Sequence, residues 1–271
     1  MADPRVSVLM ACRDTEWVGE AVWSLAAQTC DEWELVLVDD GSARPAVLKS
    51  LRTAEVGLGE RLVLIRHARP AGLTRSLIEA ERRARGEVLA RLDADDVAAP
   101  GRLAAQLAFL DAHPEVGVLG SQATLIDPRS ERIGDIRVPE KDAAIRRAMP
   151  WRNPVVHSSA MIRQAVYLRA GGYNPAFDLC QDYDLWLRCL PLTRFANLPG
   201  ELVARRMHPT MLSIRFAQRR RLAELRARWR ALVRGDLPLW VAGCLVKPAA
   251  ALACGAVVGI SSAVLRQGGA Q

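Results

Sequence analysis

Short apolar runs alternate with helix-period segments through the first 120 residues of the chain. Residues 6–10, 35–38, 61–65, 88–90 and 116–119 read as strands rich in Val, Leu and Ile. Between the first two, Val18, Ala21, Val22 and Leu25 recur at helical spacing and predict a helix over 20–28. A weaker helix is expected at 46–52. Another runs over 74–85, with Leu73, Leu77, Ile78 and Ala84 near one face and Gly86 as its stop. Pro100 opens a helix carrying Leu103, Leu107 and Leu110, which His113-Pro114 closes. This alternation predicts an α/β fold with a mostly parallel central sheet flanked by helices on both faces.

The pattern loosens from 121 to 213. Strands are expected at 124–126 and 133–138 around a Pro-Arg-Ser turn, with a short helix at 142–148 and a strand-like stretch at 155–162. Gly171-Gly172 ends a further helix, and 182–190 reads as a helix with Leu185, Trp186 and Leu187 turned inward. From 214 onward the character changes again. Arg215, Arg219, Arg220, Arg221, Arg226, Arg228, Arg230 and Arg234 make a strongly basic helix with Glu224 as its only acid. Two apolar runs follow, 237–246 and 249–265, separated by Lys247-Pro248. Each is shorter than the roughly 20 residues that span a bilayer. Joined, they are long enough, but a mid-span Lys is costly and Pro kinks a helix. A membrane-associated tail with the basic helix on the cytoplasmic side follows the positive-inside pattern, and a buried terminal hairpin is the alternative. The expected division is 1–120, 121–213 and a 214–271 tail.

With 271 residues, half of them hydrophobic, the chain can bury a substantial core. Its formal charge of +7 is carried almost wholly by Arg, with Lys only at 49, 141 and 247. Such a surface suits phosphates and anionic membrane. The apolar tail beside the arginines favours a membrane surface over nucleic acid. Six cysteines without C-x-x-C or Cys/His ligand spacing point to scattered thiols in a reducing compartment. Met1-Ala2-Asp3-Pro4-Arg5 lacks the features of a signal peptide. The expected location is cytoplasmic, at the inner face of the cell membrane.

The chemistry concentrates in acids at strand ends. Asp93, Asp95 and Asp96 crowd behind the apolar run 88–90, where like charges repel unless a cation neutralises them. Oxygen ligands suit Mg2+ or Mn2+. Asp93 and Asp95 would share a side if the backbone stays extended; a solvated acidic turn is the alternative. Asp39-Asp40 closes a second run before Gly41-Ser42. Ligands of open α/β sheets bind beyond the carboxyl ends of strands, so two such clusters suit a nucleotide diphosphate. Asp182 sits at a helix start, as an N-cap or as a general base. His157 and His208 are weaker candidates, although His208 beside Arg205-Arg206 could face phosphate or metal.

Several motifs in order carry a resemblance: residues 6–10, Gln28-Thr29, Val38-Asp39-Asp40-Gly41-Ser42, Ala84-Arg85-Gly86-Glu87, Leu92-Asp93-Ala94-Asp95-Asp96, Pro100-Gly101-Arg102-Leu103, Gly171-Gly172-Tyr173 and Gln181-Asp182-Tyr183-Asp184-Leu185-Trp186-Leu187-Arg188. Over residues 6–213 the chain resembles the bacterial family-two glycosyltransferases, inverting enzymes with the GT-A fold that use nucleotide-activated sugars. The resemblance implies a donor half (1–120), an acceptor-binding and catalytic half (121–213), and a role in building cell-surface polysaccharide or glycolipid. By analogy Asp39 meets the nucleobase, usually uracil, Asp93 lies near the ribose and sugar, and Asp95 binds Mn2+ or Mg2+ at the diphosphate, with His208 as a further candidate ligand. Asp40, Arg13 and Asp14 join the donor side, His157, Tyr183 and Asp184 the acceptor side, and Asp182 matches the catalytic base. The expected partners are a nucleotide-sugar donor, a glycan or lipid-linked acceptor, and a membrane surface. One departure stands out. Arg13-Asp14 replaces the family's usual aromatic residue and Asn, leaving a guanidinium plane where a ring would stack on the base.

Other nucleotide folds fit less well. A sugar-phosphate nucleotidyltransferase needs a Gly-rich loop where this chain has Met10-Ala11-Cys12-Arg13-Asp14. A phospho-acceptor receiver domain is shorter and leaves Asp93, Asp95 and Asp182 unexplained. No G-x-G-x-x-G follows a strand, against a nicotinamide fold. The non-enzymatic alternative is a membrane-tethered scaffold that keeps the GT-A fold without turnover.

Overall fold

A computed structural model describes residues 3–243, with the side chains of Leu212 and Ser213 excepted. Four strands, β1 (Val6–Cys12), β2 (Trp33–Asp39), β3 (Leu62–Arg66) and β4 (Val88–Arg91), pair in parallel in the order β3-β2-β1-β4. β1, β2 and β4 are buried at every position, which is why their sequences read as unbroken apolar runs rather than alternations. Helices α1 (Val18–Ala26), α2 (Pro45–Leu58) and α3 (Leu73–Arg83) supply the crossovers. Val18, Ala21, Val22 and Leu25 of α1 are all buried, as their spacing predicted.

Beyond β4 the sheet is mixed. A two-residue strand β5 (Val97–Ala98) and helix α4 (Arg102–Ala112) lead to β6 (Val116–Ile126), one continuous strand where the sequence suggested two. It is followed by β7 (Arg132–Ile136), α5 (Asp142–Ala148), β8 (Met161–Arg163) and α6 (Gln164–Arg169). Then come α7 (Gln181–Cys189), β9 (Arg194–Arg206), the single turn α8 (Leu212–Arg215) and the basic helix α9 (Ala217–Arg234). The sheet continues β4-β8-β6-β9-β5, with β8 antiparallel to both neighbours and β6 parallel to β9. The donor and acceptor segments anticipated from the sequence are thus strands of one sheet. Only the last two residues of the strand-like 155–162 stretch belong to β8; before them His157–Ser159 forms a 3-10 turn.

One motif of the sequence has a purely architectural role. Ser7 of β1 donates its hydroxyl to Glu34 at 2.7 Å and accepts the Gly86 amide at 2.8 Å, while the Arg85 amide reaches Glu34 at 2.7 Å. This closes the turn into β4 against β1. A Cβ on Gly86 would lie 2.6 Å from the Ser7 nitrogen and 2.8 Å from the Val6 carbonyl carbon, both backbone atoms. Gly86→Ala is therefore expected to destabilise the fold by about 1–3 kcal/mol, the usual scale of overpacking. Urea unfolding reads this directly, and an unchanged midpoint would show that β1 yields freely.

Among the described residues no helix is long and apolar enough to cross a membrane. The last three residues of the first apolar run and all of the second lie in 244–271, outside the described residues.

Candidate active site

β4 ends at Arg91, and the chain turns at once instead of continuing extended: the Asp96 amide bonds the Asp93 carbonyl at 3.1 Å. The alternation expected for Asp93 and Asp95 is lost. The turn achieves more than alternation would have, because carboxylate oxygens of Asp93, Asp95 and Asp96 all lie within 4.8 Å of one another. Each acid has different company. Ser158 Oγ lies within hydrogen-bond distance of Asp96 and, at 2.8 Å, of Asp93, which also pairs with Arg91. Burial opposes ionisation of Asp93, but Arg91, His157, Ser158 and Arg205 outweigh it and take its carboxyl down to about 2. Asp96 is driven the other way, well above the carboxylate range, by burial and by the charges of Asp95 and Asp93. A proton on Asp96 and a charge on Asp93 is the arrangement that relieves the repulsion.

Asp95 faces a different element. Its Oδ2 lies 2.8 Å from His208 Nε2, while His208 Nδ1 lies 2.8 Å from the Thr210 hydroxyl. The imidazole stacks on Trp17, with ring centroids 4.6 Å apart. The end of β9 is brought there by Arg206, a fully buried guanidinium that the sequence reading left without a role. Arg206 donates to the Asp95 carbonyl at 2.9 Å, the Asp127 carbonyl at 3.0 Å, Ser130 Oγ at 2.9 Å and Glu20 at 2.6 Å, and lies over Trp17. Its own amide bonds Asp96 Oδ1 at 2.8 Å. Arg206 thus fixes the acidic turn mainly through backbone atoms, leaving the Asp95 side chain to His208. The neighbouring Arg205 is partly exposed, and its charge acts on both Asp93 and His157.

These residues fit a divalent cation. The three aspartates offer clustered carboxylate oxygens, with the His208 imidazole on Asp95, and the mutual repulsion that raises Asp96 is what a cation would relieve. Asp95 and His208, with Asp93 beside them, are the groups that would hold it.

The Asp39-Asp40 pair divides. Asp39, at the end of β2, accepts the Ser42 amide at 2.9 Å and stays at the strand end. Asp40 turns toward the start of α3, accepting the Ala71 amide at 2.6 Å and the Gly72 amide at 2.9 Å, with His67 Nδ1 at 2.8 Å. Burial would raise its pKa, yet these bonds hold it below the ordinary value. Its oxygens are committed to the loop before α3. Asp14 is likewise engaged, in a left-handed conformation (φ 50°), by the Ala43 and Arg44 amides at 2.8 and 2.9 Å. It ties the segment after β1 to the turn after β2, leaving Arg13 exposed.

On the other side Asp182 lies in the first turn of α7, following Cys180 in a left-handed conformation (φ 58°). Its carboxylate is partly exposed and accepts one bond, from Asn153 Nδ2 at 2.7 Å. His157 lies in the fields of both Asp182 and Asp93. Burial nonetheless dominates and lowers its pKa, favouring a neutral ring, whose Nε2 lies 2.9 Å from the Tyr173 hydroxyl. Tyr183 and Asp184, read from the sequence as acceptor-side groups, point into the interior instead. Tyr183 donates to the Met149 carbonyl and receives Arg228 Nε at 3.0 Å, and Asp184 pairs with Arg188 at 2.8 Å. Helical spacing turns them away from the face that carries Asp182. Ser158, Arg206 and Asn153 were missed because single Ser, Arg and Asn residues carry no pattern.

A family model described as glycosyl transferase family 2 matches residues 7–169. The amylovoran biosynthesis glycosyltransferase AmsE of Erwinia amylovora is 32% identical, over 71% of this chain and 71% of its own length. Among solved structures, S. aureus TarS 1-349 in complex with UDP-GlcNAc superposes with a TM-score of 0.70 at 17% identity, covering 90% of this chain and 71% of that one. The mannosyltransferase PcManGT of Pyrobaculum calidifontis, in complex with GDP-Man and Mn2+, gives 0.63 at 21% identity, covering 96% and 77%. The mixed sheet with its flanking helices is the GT-A fold, and the chain belongs to glycosyl transferase family 2, as a glycosyltransferase.

Proposed function

We propose that this transferase is metal-dependent and inverting, moving a sugar from a UDP-sugar to an acceptor hydroxyl in the assembly of a cell-surface polysaccharide or glycolipid, at the cytoplasmic face of the membrane. The observation that carries the reading is the clustering of Asp93, Asp95 and Asp96 at the end of β4, with His208 from beyond β9 on Asp95. Asp39 would receive the base, and Asp93 the ribose and sugar. Mn2+ or Mg2+ held by Asp95 and His208 would neutralise the charge of the diphosphate. Arg205, whose charge acts on Asp93 and His157, would stabilise the same leaving group.

Asp182 acts as the base. Its carboxylate takes the proton of the acceptor hydroxyl as that oxygen bonds the anomeric carbon. The bond from that carbon to the diphosphate oxygen breaks, and its electron pair leaves with the nucleotide. One in-line displacement inverts the anomeric centre. Asn153 holds the Asp182 carboxylate without protonating it, since an amide only donates there.

Calorimetric titration with UDP, GDP and dTDP, each with and without Mn2+, tests the donor. Binding of UDP alone, lost on chelation, is the expected result. Preference for GDP would overturn the uracil assignment, and equal binding without metal would overturn the cation.

A further inference from the structure

Helix α9 has two unlike faces. Ala227, Arg228, Ala231 and Leu232 are buried, and the three apolar ones join the interior cluster that includes Tyr183 and Trp186 of α7. A solvent-facing side of such a helix should be polar. Instead Leu222, Trp229 and Val233 stand 57%, 60% and 69% exposed, at positions i, i+7 and i+11 of one stripe. An open groove of about 300 Å³ lies between Trp229, Arg230, Val233 and Arg234. Past the helix, Leu239 and Trp240 are both 79% exposed, so the apolar surface persists along the chain.

The charges beside the stripe decide what would cover it. Arg226 lies within it and Arg230 on its flank, each guanidinium over the ring of Phe177 at 5.6 and 5.4 Å. Neither pairs with a carboxylate among the described residues, whereas Arg219 and Arg234 do, with Asp178 and Asp236. Tryptophan and aliphatic side chains interleaved with uncompensated arginines match the interface of an anionic bilayer, with rings at headgroup depth and guanidiniums on phosphates.

We infer that the Leu222–Trp229–Val233 face of α9, with Arg226 and Arg230, is the surface by which the folded domain lies on an anionic membrane. This deepens the membrane-face reading above and is independent of which sugar is moved. The opposite face of the same helix holds the surroundings of the proposed base: Arg228 bonds Tyr183 at 3.0 Å and the Trp151 carbonyl at 3.0 Å, next in sequence to Asp182 and two residues before Asn153. A docked α9 therefore holds the acceptor side of the site one helix away from the lipid.

Flotation of the full chain with phosphatidylglycerol–phosphatidylcholine vesicles and with pure phosphatidylcholine vesicles tests the inference, with oligomeric state measured in parallel. The unsubstituted protein is expected to float with the anionic vesicles only. W229S/V233S should lower partitioning at least tenfold, and R226Q/R230Q should lower it on anionic vesicles in a salt-dependent way. Trp229 and Val233 lie at the surface, so W229S/V233S should leave thermal unfolding unchanged. Wild-type partitioning by W229S/V233S would assign binding to the tail alone and overturn the proposal. So would a dimer that W229S/V233S dissociates without affecting flotation, which would make the stripe a contact between copies. UDP calorimetry on the same samples separates this outcome from failure of the donor assignment.

Discussion

Asp182→Asn is expected to bind donor nucleotide as the unsubstituted enzyme does and to transfer sugar slower by a factor of ~10²–10⁴, the range a positioned general base supplies. The substitution is nearly isosteric. The Asn oxygen can still accept the Asn153 amide, so the one polar contact of the side chain is retained. The start of α7 is set by the backbone at Cys180 and by the buried side chains of Tyr183, Leu185, Trp186 and Leu187, none of which changes. What is lost is proton affinity. Single-turnover transfer measured beside nucleotide calorimetry separates the two effects: transfer at the normal rate would remove Asp182 from the base role, and loss of nucleotide binding would show that it belongs to the donor side.

Asp95→Ala should give the complementary result. Metal-dependent donor binding should fall by about 100-fold or more, since a cation at a diphosphate supplies several kcal/mol of charge stabilisation. Binding in the presence of chelator should match the unsubstituted protein. The fold should survive, because the acidic turn is held by Arg206 at the Asp95 carbonyl and at the Asp96 carboxylate rather than by the Asp95 side chain. The lost contact is the one to His208. If metal-dependent binding persists, the cation sits elsewhere in the cluster, and Asp93 becomes the ligand to test.

The parts of the molecule legible from sequence are those whose environment is uniform. Strands β1, β2 and β4 are buried on both faces, so a continuous apolar run suffices to find them. The acids at their ends stand out because charge follows abruptly on such a run. β9 was invisible for the opposite reason. It begins and ends in arginines, and it carries Pro199-Gly200 at its middle, where its pairing with β6 skips from Leu198 to Glu201. Its strand conformation is imposed by β6, a partner remote in sequence, and not by its own pattern. The 155–162 stretch erred in the other direction, since the Ser158 and Ser159 hydroxyls bond the acidic turn and nearby carbonyls in place of a ladder. Within Asp182-Tyr183-Asp184, motif alone cannot tell a carboxylate at the surface from one buried against Arg188. The helical period can. Asp40 shows the same limit in a loop, where adjacent acids serve a strand end and a helix start.

The interleaved sheet also sets a timetable for the ribosome. β8 is the strand between β4 and β6, and Asp95 meets a histidine 113 residues further along the chain. When the first four strands emerge, the acidic turn has neither Ser158 nor Arg206 to hold it, and three neighbouring carboxylates face one another unsupported. Nascent chains can build the parallel half early, since those contacts are comparatively local. The contacts of Arg206 and His208 with the acidic turn, by contrast, form late, when β9 is added beside β6. A chain stalled before residue 208 would carry most of the strands and still lack the contact between Asp95 and His208.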